Sequence, residues 1–297
     1  MMEQKKKVLF VATVVKTHIN TFYLPFLKMF KEYGWEVHVA AKNDFVDEPC
    51  VIPNCDRHFD IDFARSPFSK SNIKAYKQLK QIIETNHYDI IHCHTPVAGV
   101  LTRLAARTAK GTTVIYTAHG FHFYQGAPLI NWLVYYPVER VCGKFTDKLI
   151  TINQEDYHRA NSWRLRNNGK IYYVPGIGVD LEEIQNISIN KVQKKKEIGI
   201  SNDVKVLLSV GELNKNKNHE IIIRVLSKLT NKNFIYLICG NGELKEYLKN
   251  LAKELGVSDK VKFLGYRKDV LEIYKIADLF LFPSKREGLP CSLIEAM

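Results

Sequence analysis

Two glutamates, Glu287 and Glu295, flank an apolar, proline-led segment in the last stretch of the chain, EGLPCSLIEAM. Carboxylates accept well from paired hydroxyls, so one of the two can reach a sugar while the other accepts from the hydroxyls of a nucleoside. Gly288 permits close backbone approach, and Pro290 suits the first turn of a helix. A helix start beyond a strand end presents unpaired N–H groups and the positive end of the helix dipole, a natural seat for phosphate. Taken alone, Glu295 also reads as a plain helix-surface residue.

Other polar clusters stand where an apolar run gives way to a helix. VGELNKNKNHE (Val210–Glu220) carries Lys215 and Lys217, which fit either an anion or water. CGNGELKEYL supplies Gly240 and Gly242, and FLGYRKD supplies Arg267, a ligand contact or a surface residue. In the first half, HCHTPVAGV places His94 and Thr95 at a strand end, to line a cleft or cap the helix. TAHGFHF places His119 and the weaker candidate His122, and VVKTHINTF places Lys16, Thr17 and His18 in the first turn. A lone histidine is often structural, but His119 stands where a ligand-binding strand end is expected. Asp60-Ile61-Asp62 has the form of a metal-binding pair but lies in a short extended run, and no metal is expected there.

The elements that must position these residues follow from periodicity. Short β-branched runs alternate with longer amphipathic segments: strands are expected over Val8–Val14, Glu36–Ala41, Asp89–Cys93, Thr113–Ala118 and Lys148–Ile152. Helices are expected over Thr21–Tyr33, Ser71–Thr85 and Pro96–Ala109. The pattern restarts with strands at Val204–Val210, Phe234–Cys239, Val261–Leu264 and Leu279–Phe282. Such alternation implies two doubly wound parallel sheets, and near-continuous apolar strands such as VLFVATVV fit burial on both faces. Domains are expected over 1–185 and 203–297, with a basic linker region at 186–202 around NKVQKKKEIGIS. The last helix has few residues after Pro290, so the second domain reads as incomplete and the chain as a fragment.

The chain has 297 residues, 46% hydrophobic and 25% charged, as in a folded protein of about two domains. Its formal charge of +12 favours anionic partners. No nucleic-acid motif accompanies that charge. The six cysteines form no CxxC pair, so neither zinc nor a disulfide framework is expected, and the cytoplasm is the expected compartment. The apolar start is too short for a signal peptide, and no run approaches the roughly 20 apolar residues of a membrane span. LINWLVYYPVERV (Leu129–Val141) reads as a membrane-surface helix or as a core helix interrupted by Pro137; contact with the cytoplasmic membrane face is the favoured expectation.

The segment EGLPCSLIEAM resembles the E-x7-E signature of the retaining family 4 glycosyltransferases, and VGELNKNKNHE resembles their diphosphate loop. The resemblance implies a GT-B fold, an α/β arrangement of two Rossmann-like domains facing a cleft, with acceptor bound by the first and nucleotide-sugar by the second. It implies Glu287, His119 and Lys217 as catalytic residues. It assigns Lys215, Gly211, Gly242, Arg267, Gly288, Leu289, Pro290 and Glu295 to the donor. Lys16, His18, Arg65, His94, Thr95 and His122 are weaker acceptor candidates. No cofactor or metal is implied, the nucleotide-sugar being a co-substrate. Glu212 departs from the family, which usually has arginine there; Lys215 could compensate.

VVKTHINTF and RSPFSKSNIKAYKQL resemble a bacterial capsule and exopolysaccharide subgroup. The implied reaction moves a hexose or N-acetylhexosamine, with retention, from a UDP-sugar to a lipid-linked or saccharide acceptor. A UDP-sugar epimerase of the same fold and a basic nucleic-acid-binding protein are the alternatives. Oligomeric state is left open.

Overall fold

The computed structural model describes residues 5–297 apart from Asp47, Arg65, Ile177, Asn231, Lys232 and Gly288. The chain divides into two compact units, Met1–Ile177 and Gly178–Met297.

In the first unit, β1 (Lys7–Val14) runs into a wide helical turn, Val15–Ile19, closed by the Asn20 N–H on the Val15 carbonyl. Then come α1 (Asn20–Phe22), α2 (Leu24–Glu32), β2 (Glu36–Lys42), β3 (Arg57–Asp60) and α3 (Ser71–Asn86). β4 (Ile90–His94), α4 (Pro96–Ala105), β5 (Thr113–Ala118) and α5 (Leu129–Gly143) follow, and β6 (Lys148–Thr151), α6 (Gln154–Ala160) and β7 (Lys170–Tyr173) complete the unit. All seven strands are parallel, in the order β3-β2-β1-β4-β5-β6-β7.

The second unit holds α7 (Leu181–Asn186), α8 (Lys191–Ile198), β8 (Lys205–Val210), α9 (His219–Leu226) and β9 (Phe234–Cys239). It continues with α10 (Lys245–Glu254), β10 (Val261–Gly265), α11 (Val270–Ile276), β11 (Leu279–Phe280) and α12 (Cys291–Ala296). Its four parallel strands run β10-β9-β8-β11.

Each sheet is covered on both faces, and alternate residues of one strand serve opposite cores. Leu9 and Val11 join the cluster containing Leu79 and Ile91, whereas Val8, Phe10 and Ala12 join the one containing Leu27 and Val39. In the second unit Tyr236 and Ile238 face Leu248 and Leu251, while Leu237 and Cys239 face Ile273 and Ile276. Near-continuous apolar strands are thus explained by two buried faces.

Several elements differ from expectation. The helix expected over Thr21–Tyr33 breaks at Tyr23, because Pro25 lacks the N–H that would continue the earlier turn. β3 and β7 were not anticipated: RHFD and KIYY are short, mixed in polarity, and lie at the two sheet edges. α5 runs unbroken through Pro137, which sits on its exposed face. Residues 186–202, expected between the domains, carry α8 and pack within the second unit. Ile198 and Ile200 enter its core, and the Lys194 ammonium meets Asp269 at 2.5 Å and Glu272 at 2.7 Å. The basic run thus buries Lys194 among carboxylates, half-buries Lys195 and exposes Lys191 and Lys196.

Candidate active site

In open parallel sheets ligands bind beyond the strand ends where the order reverses. The first sheet reverses between β1 and β4, the second between β8 and β11. The sequence candidates concentrate at these two places.

At the β1/β4 end of the first unit, His18, His94 and His119 come together with Tyr23. The rings of His18 and His119 meet edge to face, with centroids 5.3 Å apart, and those of His94 and Tyr23 are 3.8 Å apart. The Tyr23 hydroxyl bonds His119 Nε2 and stands 3.5 Å from His18 Nε2. Thr95 does not cap α4 with its side chain: its Oγ1 lies 2.8 Å from Thr13 Oγ1 and donates to the His94 carbonyl. Its φ of +62° is unusual for a β-branched residue, so the strand-to-helix turn here is strained. His94 is fully buried, stacked on Phe10, and among the described residues neither ring nitrogen has a hydrogen-bond partner.

Burial favours the uncharged ring, so it moves His18 to about 3 and His119 to about 4, with a further contribution at His18 from His119. His94 is lowered by burial and by its histidine neighbours. Near neutrality the cluster therefore offers neutral imidazoles, able to donate and accept but not to carry charge. His122 stands apart, its ring stacked on Tyr135. The Lys16 ammonium meets Glu48 at 2.6 Å. Arg65 lies outside the described residues.

At the β8/β11 end of the second unit, Lys217 and Glu287 form an ion pair of 2.8 Å, both side chains about one-fifth exposed. Three asparagines build it. Asn214 Oδ1 accepts from the backbone N–H groups of Asn216 and Lys217. Asn216 Nδ2 donates to the Arg286 carbonyl and Asn218 Nδ2 to the Pro283 carbonyl, while the Lys285 N–H donates to the Asn216 carbonyl. The two loops are thereby stitched together. Gly211 leaves room for the lysine stem: a Cβ there would stand 3.2 Å from its methylenes. Gly242 serves the same scaffold, since a Cβ on it would meet the Leu213 carbonyl oxygen at 2.5 Å. Lys215 and Glu212 are exposed, and Glu212 accepts from Asn214 Nδ2 at 3.0 Å.

Residues 7–153 match the family described as glycosyl transferase 4-like, and residues 190–297 match glycosyl transferases group 1. The chain is 44% identical over 297 residues to EpsD of Bacillus subtilis, named as a glycosyltransferase, covering 98% of this chain and 76% of that protein. It belongs to the family 4 glycosyltransferases.

This glycosyltransferase is also 34% identical over 233 residues to an Escherichia coli enzyme named UDP-Gal:alpha-D-GlcNAc-diphosphoundecaprenol alpha-1,3-galactosyltransferase, covering 76% of this chain and 59% of that one. Its fold matches Anabaena HepE in complex with UDP and glucose, with a TM-score of 0.75 at 20% identity over 98% of this chain and 78% of that one. WaaG, a glycosyltransferase involved in lipopolysaccharide biosynthesis, matches with a TM-score of 0.74 at 19% identity over 97% of this chain and 78% of that one. The GT-B architecture expected from the resemblance is the architecture found.

The remaining donor candidates of the glycosyltransferase are differently engaged. Glu295 accepts from the Tyr274 hydroxyl at 2.9 Å, which ties α12 to α11. Arg267 is held by Asp269 through Nε at 2.7 Å and Nη2 at 2.6 Å. Leu289 and Pro290 lead into α12, with the Leu293 N–H on the Pro290 carbonyl at 2.9 Å. Gly288 lies outside the described residues. Sequence reasoning missed Tyr23, Thr13, the three asparagines and Tyr274. Only the asparagines carried a signal, the density of turn-forming residues in NKNKN.

Proposed function

We propose that this glycosyltransferase moves a hexose or N-acetylhexosamine, with retention, from a UDP-sugar to a lipid-linked saccharide in exopolysaccharide or capsule assembly. The observation that carries this reading is the Lys217–Glu287 pair at the switch point of the second sheet. A leaving diphosphate gains charge as its bond to the sugar breaks, and a preorganised cation lowers the cost of that charge. Lys217 supplies the cation and Glu287 holds it in place, then orients a sugar hydroxyl once the lysine turns to phosphate. Glu295 takes the ribose hydroxyls, with Tyr274 fixing its direction. His119 and its neutral neighbours offer hydrogen bonds to sugar hydroxyls at the β1/β4 strand ends.

No resident metal takes part in this reading, since Lys217 supplies the positive charge. Uridine is favoured because the HepE match holds UDP and the Escherichia coli relative is named for UDP-Gal. The lipid-linked acceptor is favoured by that same name.

We infer a cytoplasmic, membrane-peripheral location, and the surface of α5 supports the membrane contact. Leu129, Ile130, Leu133, Val138 and Val141 are exposed along it. Its acid, Glu139, is buried against Arg103, so the exposed charges at its end, Arg140 and Lys144, are positive. An apolar stripe with a basic end suits an anionic bilayer surface. Among the described residues no helix is long and apolar enough to cross a membrane.

The deciding experiment is release of UDP from UDP-sugars with and without an undecaprenyl-diphosphate saccharide, repeated with EDTA. Acceptor-dependent release that survives EDTA is expected. Interconversion of UDP-sugars without acceptor, or tight salt-sensitive binding of unrelated DNA with no UDP-sugar affinity, would replace this reading. Sedimentation with anionic but not zwitterionic vesicles, lost in Leu133→Asp, tests the membrane contact.

A further inference from the structure

The first turn of the chain, VVKTHINTF, has no glycine, and it folds as the wide turn Val15–Ile19 followed by α1. This arrangement delivers Tyr23 to the end of β5. We propose that Tyr23 is a positioning residue: its hydroxyl donates to His119 Nε2 and so fixes His119 as the neutral tautomer with its proton on Nδ1.

The direction of the hydrogen bond follows from the surroundings. Tyr23 is 1% exposed, so its phenol proton has no bulk water to bond and needs an acceptor. Two ring nitrogens are near. His119 Nε2 is in close contact, and His18 Nε2 at 3.5 Å is at the limit of hydrogen bonding. The phenol therefore donates to His119, and its remaining lone pair faces His18 Nε2. A neutral imidazole that accepts at Nε2 carries its proton on Nδ1.

Packing holds the donor in place. The Tyr23 ring packs against His94, at 3.8 Å, and beside Phe10, at 6.5 Å, and meets the His119 ring nearly perpendicularly, at 83°. Burial raises the Tyr23 phenol well above its usual range and lowers His119 to about 4, so the proton stays on oxygen and both groups stay neutral. His119 then presents a single N–H donor of fixed direction at the strand end. Without the phenol, the ring would be free to carry its proton on Nε2 and present a lone pair instead. The consequence for transfer rests on the reading of His119 in the proposed function; the tautomer itself does not.

The experiment has a spectroscopic and a kinetic arm. In protein labelled with nitrogen-15 on histidine, two-bond proton–nitrogen correlations report which His119 nitrogen carries the proton, with His119→Gln used to assign the signals. Nδ1–H is expected in the parent protein, with a shift toward Nε2–H in Tyr23→Phe, which keeps the ring packing. A parent spectrum showing Nε2–H overturns the proposal without any variant having to fold, and so does a tautomer unchanged in Tyr23→Phe. In the kinetic arm, Tyr23→Phe is expected to lower kcat by about 10- to 100-fold, as loss of a group that orients a functional imidazole does, with donor KM little changed. If the tautomer shifts but neither Tyr23→Phe nor His119→Gln alters transfer, the positioning holds and the assignment of His119 to the reaction falls.

Discussion

Lys217 Nζ and Glu287 Oε1 stand 2.8 Å apart, although 70 residues separate them in the chain. Their loops leave β8 and β11, strands that are neighbours in the sheet because the chain crosses from one side of β8 to the other. The pair is therefore a product of topology, and its removal should be felt in turnover more than in folding.

Lys217→Ala and Glu287→Ala should each lower kcat by about 10²- to 10³-fold, the usual cost of removing one electrostatic stabiliser of a transition state. The unfolding free energy should fall by only about 1 kcal/mol, because the pair is partly solvated. The double variant should be little worse than either single one, since the residues act as a unit. Steady-state kinetics with urea unfolding of all three proteins checks this; near-parent turnover in both single variants would remove the pair from the site.

Glu212→Arg tests the departure from the family pattern. Glu212 is exposed and its carboxylate accepts from Asn214 Nδ2, so replacement should not disturb the core. An arginine at the mouth of the loop adds a bidentate phosphate donor. Donor KM should fall about tenfold, equivalent to about 1.4 kcal/mol. A KM that stays put or rises would show that the carboxylate is part of this chain's donor site.

Three half-buried histidines set a pH window for stability. His18 and His92 lie at about 3 and His119 at about 4, lowered chiefly by burial. The unfolded chain binds those protons near 6.5, so below that pH it holds more protons than the native state. Their contribution is complete above about pH 6.5 and is lost as pH falls toward the folded values of about 3 to 4. The slope is up to about 1.4 kcal/mol per pH unit for each histidine. His92→Gln, which can keep a bond to Thr117 Oγ1, should flatten the fall in urea midpoint between pH 7 and pH 5. Parallel pH profiles for parent and variant would contradict this.

Arg103 and Glu139 join α4 to α5. They approach at 2.8 Å, with the N–H directed off the line of a straight hydrogen bond, and Arg103 lies 3.9 Å over the Tyr116 ring. Both are almost wholly buried. Glu139→Gln leaves an uncompensated guanidinium and should cost about 3–5 kcal/mol, whereas the paired replacement Arg103→Met with Glu139→Leu should recover most of the loss. Thermal unfolding of the single and double variants measures the difference; equal Tm values would place the stability of this helix pair elsewhere.

The sequence by itself determined the alternation of strands and helices, the restart of the pattern in a second domain, and the family. These rest on local signals: apolar runs long enough to cross a buried sheet, turn residues at their ends, and the E-x7-E and lysine-loop segments. Lys217, Glu287, His94 and His119 could be named because chemistry-bearing side chains at strand ends are visible in order along the chain. Tertiary structure alone decided who their partners are. β3 and β7 are held by pairing with β2 and β6, which short mixed-polarity runs do not announce. α8 joins the second unit because Ile198, Ile200 and Lys194 find burial there. Tyr23 reads as one more apolar helix residue, and only the break before Pro25 and the packing of β1 beside β4 turn its hydroxyl onto His119. Periodicity records which face of an element is buried; it does not record which distant residue waits on the other side.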